Sequence, residues 1–268
     1  MFKRDGIWQK GGFIGRHVVH GTVGTQRGLR VHHAIALFNM LNGAAHFEHD
    51  ACRFRSQSAW HGGRRIETAA NIGVLPLDRE FVKELEKLCR EKDMLLIIDE
   101  VQTGIGRTGS LFAFQQYDIK PDVVTMAKGL GGGMPIGAVM AADTCCNVLT
   151  PGTHATTFGG TPIVCSAANV VLDTVGDGQF LMKVREKGEY LRNGILSLGS
   201  PNIKGVRGMG LMLGIIVEEG KHSVFANKLI ENGVLAITAG KNAVRLLPPL
   251  TISKEELDEA LAIMAKVF

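Results

Sequence analysis

The chain has 268 residues, 45% of them hydrophobic and 21% charged, which is the balance of a globular protein with one large domain or two small ones. The net charge of +4 is too small to indicate nucleic-acid binding, and no apolar run approaches the roughly 18–20 residues that span a bilayer. The N-terminus lacks a signal-peptide core, and the five cysteines form no CxxC pair, so we expect reduced thiols in a cytoplasmic protein.

The first part of the chain differs in composition from the rest. Residues 1–65 hold ten Lys and Arg but only three acids, together with seven of the nine histidines. The segment "HHAIALFNMLNGAAHF" predicts a short apolar helix. No HExxH-type spacing relates His32, His33, His46 and His49, so we expect no metal site. The basic residues are scattered, so they do not form a nucleic-acid arm.

After Ile66 the apolar periodicity becomes regular. The stretch "LDREFVKELEKLCREKD" predicts a helix with Asp78 as N-cap. One apolar stripe of this helix contains Phe81, Leu85, Leu88 and Cys89. Three apolar runs follow, "MLLIIDE", "DVVTMAKG" and "GAVMAA", and each is typical of a buried parallel strand.

The remaining elements alternate in the same way. Residues 162–198 predict one long helix or two, and "VRGMGLMLGIIV" predicts a strand, a turn and a strand. The stretch "HSVFANKLIENGV" predicts a helix that Gly233 ends, and "LAIT" and "AVRLLPP" predict strands. In the closing helix Ser253 and Glu256 have the spacing of a capping box. This alternation predicts an α/β fold.

The stretch "IIDEVQTGIGRTG" contains Gly104-x-Gly106-x-x-Gly109, the spacing of a dinucleotide-binding loop. Four residues separate Asp99 from the first glycine, and the residues after Gly109 match a helix poorly. The next acids also come too early for the ribose-binding position. We therefore interpret the motif as a glycine-rich turn and set a nucleotide-binding oxidoreductase aside.

An acid and a lysine follow two of the predicted strands. Asp99 ends the first strand, and Lys128 ends the next one. Ligands bind outside the carboxyl ends of the strands in an open parallel sheet, so both side chains are expected in one crevice. A lysine amine can form a Schiff base with an aldehyde cofactor, and an aspartate can keep a pyridine nitrogen protonated. Taken singly, each residue is more often a cap, a salt bridge or a solvated charge.

From Gly73 to Phe268 the chain resembles the class III (subgroup II) pyridoxal-phosphate aminotransferases, most of all their acetylornithine branch. Five blocks carry the resemblance: "DEVQTGIGRTG", "AKGLGGGMPIGA", "THATTFGGTP", "VRGMGLMLG" and "VRLLPPLTIS". It implies a fold-type-I architecture with a mostly parallel sheet flanked by helices and a small C-terminal α/β domain. The expected segments are 1–70, which is not family-like, then 71–179 from an incomplete cofactor-binding domain, and 180–268 as the small domain.

The resemblance also implies roles for four residues at the cofactor, pyridoxal 5'-phosphate. Asp99 is expected to pair with the pyridine nitrogen, and Val101 to pack on one face of the ring. Gln102 is expected near the phenolic oxygen. Lys128 is expected to hold the cofactor covalently and then to move a proton as general base and acid.

Two further residues have implied roles at the phosphate and the substrate. Thr157 is expected to reach the cofactor phosphate of the neighbouring subunit, which implies a homodimer. Arg245 is expected to bind a substrate carboxylate with its planar fork. The implied reaction moves an amino group from N-acetylornithine to 2-oxoglutarate in arginine biosynthesis, and ornithine and 4-aminobutyrate remain alternative donors.

Two family features are missing before Gly73, the Ser-Gly-(Ala/Thr)-Glu-Ala loop around the phosphate and the aromatic-His-Gly block. "AWHGG", Trp60 to Gly63, only echoes the second. We expect residues 1 to about 70 to come from a truncated or rearranged gene or a shifted frame. A catalytically inactive homologue that keeps only dimerisation or partner binding is therefore a second hypothesis.

Overall fold

The computed structural model describes residues 73–148 and 156–268, together with three short strand segments before them. Those segments are β1 (Val18–Val19), β2 (Ile35–Asn39) and β3 (Arg64–Arg65). The other strands are β4 (Leu95–Asp99), β5 (Val123–Met126), β6 (Ala138–Ala141), β7 (Gly205–Met209), β8 (Met212–Ile216), β9 (Ile237–Ala239) and β10 (Ala243–Leu246). The helices are α1 (Arg79–Glu91), α2 (Pro162–Val175), α3 (Gly178–Ser197), α4 (His222–Glu231) and α5 (Lys254–Val267).

The first sheet has the strand order β1-β6-β5-β4-β2-β3. Strands β3, β2, β4 and β5 run parallel, as predicted for the two apolar runs that form β4 and β5. The prediction of a parallel strand at "GAVMAA" is wrong, because β6 is antiparallel to β5. The segment between β5 and β6 contains only the short 3-10 turn Lys128–Gly131, and a parallel return needs a longer crossover, usually a helix.

The predicted helix within "HHAIALFNMLNGAAHF" is also wrong over residues 35–39, which form β2. This strand pairs with β4 along its whole length, from Ile35 opposite Leu95 to Asn39 opposite Asp99. A short apolar run fits a buried strand and a helix equally well by periodicity, and pairing with a neighbouring strand decides between them. The four clustered histidines, Cys52 and the stretch from Trp60 to Gly63 lie outside the described residues.

Helix α1 covers one face of this sheet and begins where the sequence predicts. The Asp78 carboxylate accepts hydrogen bonds from the backbone N–H groups of Glu80 and Phe81 at 2.9 and 3.0 Å, which confirms it as the N-cap. The buried side chains are Val82, Leu85 and Cys89, whereas Phe81 and Leu88 are only half-buried. The buried stripe is therefore turned slightly from the predicted one.

The second sheet is antiparallel throughout, with the order β7-β8-β10-β9. Helices α3, α4 and α5 pack on it around a core of its own. The two-helix alternative for residues 162–198, the β7-turn-β8 unit and the Ser253–Glu256 capping box are all confirmed. Helix α4 ends at Glu231, just before Gly233, whose φ is +95°. Within the described ranges, no helix has both the length and the apolar character needed to cross a membrane.

Candidate active site

The acid of the predicted site lies where β4 ends at the edge of the six-stranded sheet. Asp99 is paired in parallel register with Thr125 of β5. Its Oδ1 accepts a hydrogen bond from the backbone N–H of Val101 at 2.9 Å and a longer one from the Thr125 hydroxyl at 3.4 Å. The carboxylate is therefore held at the carboxyl ends of two parallel strands, where ligands bind in open α/β sheets.

The glycine motif after Asp99 forms a compact turn, as interpreted from its sequence. The Gly104 N–H donates to the carbonyl of Glu100 at 2.8 Å, and Gly106 and Gly109 adopt φ angles of +84° and +88°. Glycine reaches such angles without steric conflict. No helix opens at Gly109, because the next element is a 3-10 segment at residues 113–117. The motif thus lacks the helix N-terminus that a dinucleotide pyrophosphate needs.

The lysine of the predicted site lies two residues beyond the end of β5, and not within the strand. Lys128 has a φ of +45°, which is uncommon for a residue with a Cβ and typical of strained functional positions. Its side chain is exposed to the crevice. Desolvation and the nearby Arg245 guanidinium lower the pKa of Lys128, whereas the Asp99 carboxylate raises it.

Lys128 opens into a cleft of about 440 Å³. Val101 and Gln102 line the same cleft, so three of the predicted site residues meet there. Most of the other side chains that line it are apolar, with two threonines among them: Ile105, Val170, Val171, Thr174, Val175, Phe180, Leu247, Leu250 and Thr251. The cleft therefore combines one reactive amine with a wall that suits an uncharged carbon chain.

Arg245 lies in β10 of the four-stranded sheet, opposite Gly214 of β8 and Ile237 of β9. Burial lowers its pKa, and its Nε atom is buried without a hydrogen-bond partner among the described residues. A buried guanidinium nitrogen that lacks a partner is costly unless a ligand supplies one. Arg245 thus has the properties of a carboxylate-binding residue.

Thr157 stands apart from these groups within one chain. It is exposed in the turn that precedes α2, and it is not among the described residues that line the cleft. The structure therefore brings Lys128 within electrostatic range of Asp99 and Arg245 and places Val101 and Gln102 with it in the cleft. Asp99, Arg245 and Thr157 are not among the lining residues, and Thr157 has no such interaction with Lys128.

Two residues of the site escaped the sequence analysis. Glu100 is fully buried beside Asp99, and burial raises the pKa of its carboxyl from 4.5 to about 7, although hydrogen bonds from Thr103 and Phe114 oppose the shift. Arg107 lines the cleft from within the glycine turn. For Arg107 a signal was available, because a charged residue between the glycines of a tight turn is unusual. For Glu100 there was none, because an acid at a strand end can be either buried or exposed.

Comparison with known proteins places these features in a family. Residues 67–268 match the family described as aminotransferase class-III. The acetylornithine aminotransferase of Haemophilus ducreyi is 46% identical over 198 residues, which cover 73% of this chain and 49% of the relative. The same enzyme of Aquifex aeolicus is 47% identical over 196 residues, which cover 73% of this chain and 50% of the relative. The chain thus spans about half the length of the curated relatives it matches.

Solved structures give the same result. The crystal structure of N-acetylornithine aminotransferase from Stenotrophomonas maltophilia aligns with a TM-score of 0.70 and 29% identity, over 88% of this chain and 65% of that one. The ornithine aminotransferase of Toxoplasma gondii aligns with a TM-score of 0.72 and 30% identity, over 88% of this chain and 64% of that one. The shared architecture is the fold-type-I fold expected from the sequence.

Proposed function

The chain belongs to the class-III aminotransferases, and we propose that it transfers an amino group from N-acetylornithine to 2-oxoglutarate with pyridoxal 5'-phosphate as cofactor. One observation carries the proposal, namely the Lys128 amine in a cleft where its pKa responds both to the Asp99 carboxylate and to the Arg245 guanidinium. This arrangement combines a nucleophilic amine, an acid and a carboxylate-binding group. Because the chain spans about half of its relatives' length, the activity is a proposal for this molecule.

The residues around the cleft fit the cofactor, on which class-III aminotransferases depend. Asp99 would face the pyridine nitrogen, because its carboxylate is already oriented by the Val101 N–H and favours a protonated ring. Val101 would pack against the ring, and Gln102 would lie near the phenolic oxygen. When bound, pyridoxal phosphate supplies an electron sink for the carbanion formed at the substrate α-carbon.

Lys128 is the residue that would hold the cofactor and move the proton. Its lowered pKa raises the fraction of neutral amine, and only the neutral amine can act as a nucleophile or accept a proton. Once the substrate amine has displaced it, Lys128 would take the proton from the α-carbon and later return one. The exposed position of the side chain leaves it free to make this movement.

Arg245 would bind the carboxylate of either substrate. Its unpartnered Nε and its planar fork match the two oxygens of a carboxylate. With the carboxylate held by Arg245 and the amine directed to Lys128, the α-carbon of the substrate would lie between the two groups.

The apolar side of the cleft supports an acylated donor over ornithine. Val171, Phe180 and Leu250 offer no partner for the side-chain ammonium of ornithine. The polar lining residues Gln102, Thr174 and Thr251 carry no negative charge to pair with it, and burying an unpaired charge is costly. The uncharged acetyl group of N-acetylornithine carries no such penalty. Ornithine and 4-aminobutyrate stay as alternative donors.

We infer a homodimer, with the turn before α2 at the interface. Phe158 is 86% exposed in this turn, and Ile163, in the first turn of α2, is 72% exposed. Exposed apolar surface of this kind marks protein interfaces. Thr157 adjoins Phe158 and would reach the cofactor phosphate of the neighbouring subunit, which explains its distance from the cleft of its own chain.

The segments 1–70, 71–179 and 180–268 stay our proposed domain organisation. The six-stranded and four-stranded sheets each have a separate buried core, and α3 contributes Leu191 and Ile195 to the second one, which supports a boundary close to the start of α3 at Gly178. The cytoplasmic location stays a prediction. An inactive homologue remains the second hypothesis, because two family blocks are missing before Gly73.

Cofactor uptake tests the proposal. The purified full-length chain, incubated with pyridoxal phosphate, is expected to absorb in the near-visible, and borohydride is expected to fix the cofactor on Lys128. Lys128→Ala should abolish both signals, whereas Lys183→Ala, at an exposed position of α3, should leave them unchanged. A protein that stays colourless would support the inactive homologue. For a coloured protein, amino transfer from N-acetylornithine, ornithine and 4-aminobutyrate identifies the donor.

A further inference from the structure

The glycine turn after the cofactor residues contacts both sheets. We call residues 104–110 the hinge loop. The Leu211 N–H, in the turn between β7 and β8, donates to the Arg107 carbonyl at 3.1 Å. In return, Nη1 of Arg107 donates to the Leu211 carbonyl at 3.2 Å and to the carbonyl of Pro248. One residue thus ties the hinge loop to two separate segments of the four-stranded unit.

The contact is too close to allow sliding. Gly210 has a φ of +52°, and a Cβ placed on it would lie 2.6 Å from the Thr108 carbonyl carbon and 2.8 Å from the Arg107 carbonyl oxygen. The backbone of the β7–β8 turn therefore rests directly on the backbone of the hinge loop. This contact has one well-defined geometry, because no side chain lies between the two backbone segments that could change conformation and let them move relative to each other.

The segments that Arg107 joins carry the two halves of the site. Val101 and Gln102 lie just before the hinge loop, separated from it by Thr103, and both line the cleft of Lys128. Pro248 follows Arg245 by three residues and lies two residues beyond the end of β10. A change in the Arg107 contacts would therefore alter the separation between Arg245 and the cleft of Lys128.

We propose that Arg107 is a positioning residue that holds Arg245 at a defined distance from Lys128 by hydrogen-bonding the hinge loop to the β7–β8 turn and to Pro248. The consequence for substrate binding rests on the proposed function, whereas the joint between the two sheets does not. Arginine suits the role because its guanidinium stays charged when half-buried and forms strong hydrogen bonds to carbonyl oxygens.

Hydrogen exchange tests the joint without cofactor. Arg107→Met keeps the apolar stem but removes both side-chain hydrogen bonds, so the amides of Gly109 and Leu211 should exchange about tenfold faster or more. Arg107→Lys should restore part of the protection, because both bonds come from a single nitrogen that an ammonium can replace. It also serves as the second variant should Arg107→Met fold poorly.

Arg192→Met is the matched control. Arg192 also donates to two carbonyl oxygens, those of Val206 and Gly208 at 2.8 and 2.7 Å, but both belong to β7 itself. This variant should loosen β7 and leave the Gly109 amide within about twofold of the wild type. Equal protection of Gly109 and Leu211 in Arg107→Met and in the wild type would overturn the proposal.

Carboxylate affinity tests the consequence for the site. Glutarate, a dicarboxylate without an amino group, is titrated into the pyridoxal-phosphate form and followed by cofactor absorbance. Arg107→Met should raise the Kd for glutarate about tenfold or more while the Kd for the cofactor changes little, and Arg192→Met should change neither. Unchanged glutarate affinity in Arg107→Met would refute the positioning role. Failure to take up cofactor would refute the proposed function alone, since hydrogen exchange still decides on the joint.

Discussion

Burial of the Glu100 carboxyl next to the proposed cofactor residue makes stability depend on pH in a defined direction. Glu100 is fully buried, and its two oxygens accept hydrogen bonds from the Thr103 hydroxyl and, at 2.8 Å, from the Phe114 N–H. These bonds favour the charged form, but desolvation outweighs them and raises the pKa from 4.5 to about 7. Folded protein therefore binds more protons than unfolded protein between these two pH values.

The sign of the effect follows from proton linkage. Stability falls with rising pH wherever the folded state binds more protons than the unfolded state. The contribution of Glu100 is thus fully present below pH 4.5, declines from there to about pH 7 and is absent above it. One pKa unit corresponds to about 1.4 kcal/mol, so the loss amounts to about 3 kcal/mol.

Glu100→Gln should remove this dependence while it keeps the shape of the protonated side chain. The amide oxygen can accept from the Phe114 N–H, and the amide nitrogen can donate to the Thr103 hydroxyl. We expect the variant to match the wild type at pH 4.5 and to be about 3 kcal/mol more stable at pH 8.

Urea unfolding followed by far-ultraviolet circular dichroism, repeated across this pH range, measures the difference. The control is Glu84→Gln, since the Glu84 side chain is mostly exposed and its ion pair with Lys87, at 3.6 Å, lies on the surface. It should show no comparable pH dependence. A Glu100→Gln variant that is less stable than the wild type at pH 8 would refute the reasoning, as would a difference that does not change with pH.

Three further substitutions test the framework, each by the urea midpoint of the full chain. Ser253→Ala removes the capping box of α5 and should lower stability by about 1 kcal/mol; no loss would show that the cap is dispensable. Asp122→Ala removes a buried carboxylate that accepts hydrogen bonds from the Leu96 N–H at 2.8 Å and from Nη1 of the half-exposed Arg90 at 2.7 and 2.8 Å, and it should lower stability by about 2–3 kcal/mol; a neutral result would contradict the importance of this buried acceptor. Gly210→Ala places a Cβ 2.6 Å from the Thr108 carbonyl carbon at a φ of +52° and should lower stability by more than about 2 kcal/mol. Wild-type stability would mean that the backbone of the hinge loop moves to make room for the Cβ.

Local signals account for the elements that the sequence predicted correctly. Asp78, Ser253 and Gly233 mark helix ends through side-chain caps or left-handed geometry, and neither depends on distant residues. The apolar runs at β4 and β5 are short and lie between turn signals, so their strand character is evident from composition.

Properties that depend on distant pairing were predicted less well. The antiparallel direction of β6 is set by the short connection that follows Lys128. The composition of an apolar run does not distinguish a parallel strand from an antiparallel one. The identity of residues 35–39 as a strand depends on pairing with β4, about sixty residues further along the chain. The burial of Glu100 depends on Phe114 folding back over the strand end. No short stretch of the sequence contains the information that determines these three features.

The site residues also fall into two groups, those whose positions follow from neighbouring strands and those whose positions depend on distant packing. The positions of Asp99 and Lys128 follow from two adjacent parallel strands, so one rule about strand ends brings them together. Arg245 lies in another sheet, and only the resemblance predicted that it belongs to the same site. Its position near Lys128 depends on how the two sheets are joined, and the hinge loop provides a direct hydrogen-bonded connection between them. The "GIGRTG" stretch therefore contributes to the site through the geometry of its turn and through Arg107, and not through a nucleotide.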